Sequence, residues 1–219
     1  MRKYYLHISR YVNKKTKDIG AIRTQFDIVR YLLVFMEFLS VEPFKNNNEE
    51  NADFMIYVDK MSRLFWGKGD KIHSIQYPFF LKEQEQYLVS EFQGRGIDSR
   101  TIAILSSVVE DEAVKKSVYN MFDRFMETMN EFDINDDVYG EFCWELLVYL
   151  LSFEAGYLRY DHDENKERID TITHPVDHID LFYSGNTTFK IGLSGRIEAE
   201  DLRNIVDINE QCYQLKYGK

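Results

Sequence analysis

Residues 157–193 read YLRYDHDENKERIDTITHPVDHIDLFYSGNTTFKIGL, and their hydrophobic period decides which fold the chain can adopt. Just upstream, FCWELLVYLL (142–151) is apolar nearly all round, as a buried helix is, and Gly156 closes that run. From Tyr157 onward the period drops to two, which predicts strands over 157–163, 176–183 and 187–193. The expected class is α+β, with a helical N-terminal body over 1–155 followed by a small antiparallel sheet with a short helix over 156–219. No Pro/Gly/Ser-rich linker separates the two parts, so a single domain over 1–219 stays open.

Side chains on a strand alternate between faces, and this sorts the stretch. Leu158 and Tyr160, Ile179, Leu181 and Tyr183, and Phe189, Ile191 and Leu193 make one apolar face. If the strands are neighbours, Arg159, Asp161, His178, Asp180 and Lys190 share the other, with His174 and Pro175 at its rim. Three of the five histidines in the chain, His162, His174 and His178, fall in this stretch.

The pattern has two readings. Antiparallel sheets commonly turn one polar face to water, where Arg–Asp and Lys–Asp cross-strand pairs are ordinary. Alternatively the face is a catalytic set: His178 as base or acid with His174 as its partner, Asp161 or Asp180 orienting an imidazole, and Arg159 and Lys190 holding a phosphate. His174, His178 and Asp180 also have the donor types of a metal site.

Sharper motifs fail. EF-hand loops starting at Asp161 or Asp133 would place Lys166 and Ile172, or Val138 and Trp144, where Gly and Glu are required. His174 and His178 have the spacing of a zinc-binding helix, but Pro175 and the period-two run oppose a helix there. A PD-(D/E)xK nuclease would need a carboxylate at Thr188, two residues before Lys190. Arg168 and His174 have the spacing of HEPN ribonucleases, yet their segment reads as loop. There is no phosphate-cradling glycine loop and no GxSxG, and nothing in these motifs specifies a cofactor.

Tyr157-Leu158-Arg159-Tyr160-Asp161, followed by His174-Pro175-x-x-His178, resembles a pattern in uncharacterised bacterial families. Some of these are small toxins of toxin–antitoxin pairs, and others sit beside restriction and phage-defence genes. The resemblance implies Arg159, Asp161, His174 and His178 as the matching positions. Those families often show a further histidine two residues on, where this chain has Asp180. The expectation is a bacterial defence or toxin–antitoxin type protein whose sheet face cleaves phosphodiesters. The alternative is a non-enzymatic acidic module (immunity, antitoxin or accessory subunit) that meets a basic protein surface.

Elsewhere, residues 3–11 read as a strand or a short helix. Helical spacing recurs over 21–39, 52–65, 82–93, 100–109 after a Ser99 cap, 111–131, 137–154 after an Asp136 cap, and 198–206. Residues 45–51 look like a linker, and 211–216 like a last strand. The net charge of -10 repels nucleic acid at long range, and Lys14-Lys15-Thr16-Lys17 is too short to offset it. Nucleic acid is therefore expected as a substrate at a local site only. Cys143 and Cys212, far apart, suggest neither a disulfide scaffold nor a cysteine zinc site. The N-terminus lacks the apolar core of a signal peptide, and no window reaches the roughly 18 apolar residues of a membrane span, so the cytoplasm is expected.

Overall fold

The structure, a computed structural model, describes residues 2–44, 52–58, 61–184 and 187–211. The chain runs through β1 (Arg2–Leu6), α1 (Arg10–Ile19), α2 (Gln25–Val41), β2 (Phe54–Val58), β3 (Arg63–Lys68), β4 (Lys71–Gln76), β5 (Phe80–Gln84), β6 (Tyr87–Phe92) and β7 (Arg95–Gly96). It continues through α3 (Ser99–Glu110), α4 (Glu112–Lys116), α5 (Met121–Glu131), α6 (Asp137–Ser152), β8 (Tyr157–His162), β9 (Asp177–Ser184), β10 (Thr187–Gly192) and α7 (Ala199–Val206).

These elements sort into two units that interleave along the chain. The first takes Met1–His7, Asn48–Tyr77 and Ala155–Lys219. Its seven strands form one antiparallel sheet in the order β1-β2-β3-β4-β8-β9-β10. One face packs on α7: Leu202 is fully buried with Tyr160 and Ile179, and Ile72, Leu181, Leu193 and Ile197 close around them. The second unit takes Ile8–Asn47 and Pro78–Glu154. There α2 packs against α1, α3, α6 and β6, the last belonging to a three-stranded sheet β5-β6-β7.

Local chemistry sets the helix ends. Thr24 and Asp27 form a reciprocal capping box at the start of α2, whose buried residues, Ile28 through Leu39, cover most of its circumference. Asp136 caps α6 as expected, accepting from Val138 and Tyr139. For α3 the cap is Asp98, one residue before the expected Ser99, with its carboxylate 2.7 Å from the Thr101 amide.

The α+β class holds, but the expected layout, a helical N-terminal body followed by a small sheet, does not. Strands dominate the N-terminal half, and the helices are interspersed among them. Residues 52–65, read as a helix, form β2 and enter β3. Their alternation is hidden because both faces are covered: Ile56 and Tyr57 point opposite ways and both are buried, as are Leu64, Phe65 and Trp66. Residues 82–93 are helix formers by composition, yet they fold as the β5–β6 hairpin, turning at Glu85 with φ 56°. The long helix over 111–131 is broken at Ser117, whose φ of -152° and ψ of 115° separate α4 from the turn before α5. Residues 157–162, 177–184 and 187–192 are strands, as the period predicts.

Leu147 and Leu150 are buried as expected, while Trp144 and Leu151 are half-buried; all four belong to the second unit. The helix packed on Tyr160 and Ile179 is α7. Residues 45–51, read as a linker, and all but Gln211 of 211–216, read as a last strand, lie outside the described residues, as does Cys212.

Leu202→Ala should therefore loosen α7 from the sheet and cost about 2–4 kcal/mol. Urea unfolding measures this, and a change well under 1 kcal/mol would show that α7 is not part of the core.

Candidate functional site

Register brings the expected residues together. Across β4, β8 and β9, Lys71 pairs with Asp161 and Asp161 with His178. In the next row on the same face, His73 pairs with Arg159, Arg159 with Asp180, and Asp180 with Lys190 on β10. Each pair thus has its Cβ atoms about 5 Å apart, within reach of ion pairing.

The centre of this face is closed to water. Asp161 and Asp180 are 3% exposed and His178 is fully buried. Beside them Trp66 stacks on His73 at 4.9 Å, and His73 Nδ1 lies 3.2 Å from the Tyr157 hydroxyl, all three rings being buried. Reading the face as an ordinary wet surface fails on this burial.

Buried carboxylates need cations, and three supply them. Lys71 donates to Asp161 Oδ2 at 2.9 Å, and Lys190 to Asp180 Oδ1 at 2.7 Å. Arg159 bridges the two acids. It donates through a terminal nitrogen to Asp180 Oδ2, and its Nε comes within 2.6 Å of Asp161 Oδ1 without the alignment of a hydrogen bond. Burial opposes the guanidinium charge, but Tyr157, Asp161 and Asp180 more than offset it, so the Arg159 pKa rises.

His178 was expected to lean on a carboxylate, and it does not. Its Nδ1–H donates to the Pro175 carbonyl at 2.8 Å, and its Nε2 stands 3.8 Å from both Asp161 and Asp180. With the proton fixed on Nδ1, the Nε2 lone pair accepts from Lys190 at 2.9 Å. Burial lowers the His178 pKa and Lys190 adds to this, against the Pro175 carbonyl and the two acids. The ring is therefore neutral near pH 7. Three cations then face two carboxylates, leaving one positive charge in excess.

His174 stands edge-on to His178, ring centroids 4.6 Å apart. It ends a tight turn closed by paired backbone bonds with Asp170, and Pro175 then lies across Gly192, where a Cβ would meet it at 2.9 Å. Unlike His178, His174 keeps some exposure. His162 turns away to a separate group, bonded to Asp177 at 2.8 Å.

Asp161, His178 and Asp180 offer donor atoms within 4.8 Å of one another, so Asp161 takes the place expected for His174 in a metal set. The Lys190 ammonium already contacts two of those three residues, and a divalent cation would have to displace it. Comparison with protein-family models, characterised proteins and solved structures finds no match to this chain. The chemistry of the site must therefore be derived from its own residues. Among the described residues no helix is long and apolar enough to cross a membrane.

Lys71 escaped the sequence reading because β4 was not recognised. The signal was present: Gly69-Asp70 is a two-residue hairpin turn between Lys68 and Lys71, flanked by apolar alternation.

A neutral buried histidine also leaves a pH signature. Below about pH 6.5 the unfolded chain protonates His178 while the fold does not, so the unfolded state binds more protons and stability falls as pH drops. The half-buried His162, its pKa raised first by the Asp177 bond and then by Glu164, acts in the opposite sense in both proteins compared. Urea unfolding between pH 8 and 5 should show a smaller acid loss in His178→Gln than in the wild type. Equal slopes would assign the loss to other groups.

Proposed function

We propose that the face formed by Lys71, Arg159 and Lys190 binds the phosphate of a phosphodiester, and that the protein is a bacterial defence-type nuclease acting there. The observation that carries this is the excess positive charge at a rigid site in a chain of net charge -10. The cations are its outward members: the side chains of Lys71, Lys190 and Arg159 are 43%, 30% and 19% exposed, against 4–5% for the two acids. The acids anchor the cations from below, and the cations meet the ligand.

In this reading the roles differ from those first expected. His178, fully buried, does not touch substrate; its Nε2 positions the Lys190 ammonium. Arg159 and Lys71 hold the non-bridging oxygens, which gain charge as the phosphoryl group is transferred. Lys190 protonates the leaving oxygen as its P–O bond breaks. The proton of the attacking water passes to His174, the ring of the histidine pair that reaches solvent.

Labelled single- and double-stranded RNA and DNA oligonucleotides test the reading. Cleavage should be measurable with at least one class, and binding should weaken as salt rises. Lys71→Met, at the exposed rim, should weaken binding about tenfold or more, since a charge-assisted hydrogen bond is worth roughly 1.5–3 kcal/mol. Because it leaves the buried Asp161 one cation short, Lys71→Met should also melt lower, so binding is compared at a temperature where both proteins are fully folded. If no oligonucleotide is bound or cut, or if Lys71→Met and Lys190→Met bind as the wild type does, the proposal fails.

A further inference from the structure

In the second unit, α5 and α6 leave between them a cleft of about 250 Å³. Phe125 and Met129 form its buried floor, and Trp144 stands against Phe122 and Phe125 at 5.0 and 5.2 Å between ring centroids. The helices approach closely at Gly140, where a Cβ would lie 3.3 Å from the Met129 methyl. The mouth stays apolar in water: Phe122 is 51% and Met126 46% exposed. Tyr119, in the turn before α5, and Val138, in the first turn of α6, are 91% and 71% exposed. A cluster of large exposed side chains on adjacent helices is a signature of a surface that is covered in use.

Charge narrows the choice of what covers it. Asp136, Asp137 and Glu141 line the cleft, and no lysine or arginine does. On α5, Asp123 and Glu127 flank Phe122 and Met126 and are exposed. The nearby Arg124 is already held by Glu131, Glu127 and Asp111. A second copy would set acid against acid, and nucleic acid would set phosphate against acid.

We propose that this cleft receives an amphipathic helix of a partner protein, with bulky apolar side chains at i, i+3 or i+4, and i+7, and lysine or arginine on its flanks. A groove between two helices takes a third helix by its apolar stripe, and the acidic rim pairs with the basic flanks. This role does not depend on the phosphate site, which lies in the first unit.

The full chain can be tested with a fluorescein-labelled synthetic 14-residue peptide of leucine and lysine, its leucines on one helical stripe. The controls are a scrambled peptide and one with glutamate replacing lysine. Fluorescence anisotropy should show saturable binding of the striped basic peptide at micromolar concentration, at least tenfold weaker binding of the scrambled peptide, and none of the acidic one. Phe122→Glu and Met126→Glu, both at exposed positions, should each weaken binding at least tenfold while melting as the wild type does. Equal binding of scrambled and striped peptides overturns the proposal. So does wild-type affinity in both variants, or a dimer in sedimentation that these substitutions dissolve.

Discussion

Asp161 and Asp180 lie in the middle of a sheet face with almost no access to water, and a carboxylate in that position stays ionised only if cations surround it. Arg159 answers both at once from the strand that carries Asp161. Lys190 and Lys71 complete the set from β10 and β4, so four adjacent strands are tied into one electrostatic unit. The Pro175 carbonyl adds a further constraint by deciding which nitrogen of His178 carries the proton. That in turn leaves a lone pair for Lys190. Taking away one member of such a group strands the charges that remain, so the residues are better described as one cluster than as separate pairs.

Burial also separates support from contact. Catalytic histidines reach their substrates, and His178 does not reach solvent at all. The same face that looked like an imidazole site aided by cations is, by exposure, a cation site aided by an imidazole. The acids keep the lysine and arginine heads in place without long side chains having to find them, which in the proposed phosphate site would reduce the entropy lost on binding.

Much of this was legible in the sequence. The change of period at Gly156 located β8, β9 and β10, and alternation alone placed Arg159, Asp161, His178, Asp180 and Lys190 on one face. What alternation cannot show is whether a polar face is covered, so the burial of Asp161 and His178 was invisible. The middle of the sheet was illegible for the opposite reason. In β2 and β3 successive residues such as Ile56 and Tyr57 are buried on opposite faces, which removes the period-two signal and leaves an apolar run that also fits a helix. Missing β2 and β3 meant missing β4, and with it Lys71. The hairpin at Glu85 was lost to composition, since glutamate, lysine and glutamine favour helices when nothing else decides.

The interleaving of the two units bears on when the protein can assemble. β4 and β8 are neighbours in the sheet, yet Lys71 and Asp161 are 90 residues apart in the chain, with Pro78–Glu154 of the other unit between them. On a ribosome, β1 to β4 must wait with an unpaired edge while that intervening segment is made. Such non-local pairing is slow to form and exposed to misassembly meanwhile. The intervening segment, whose helices and hairpin are built from nearer neighbours, can reach its native form first. The charge cluster is therefore among the last features to appear in the life of a new chain, and nascent or truncated molecules lack it.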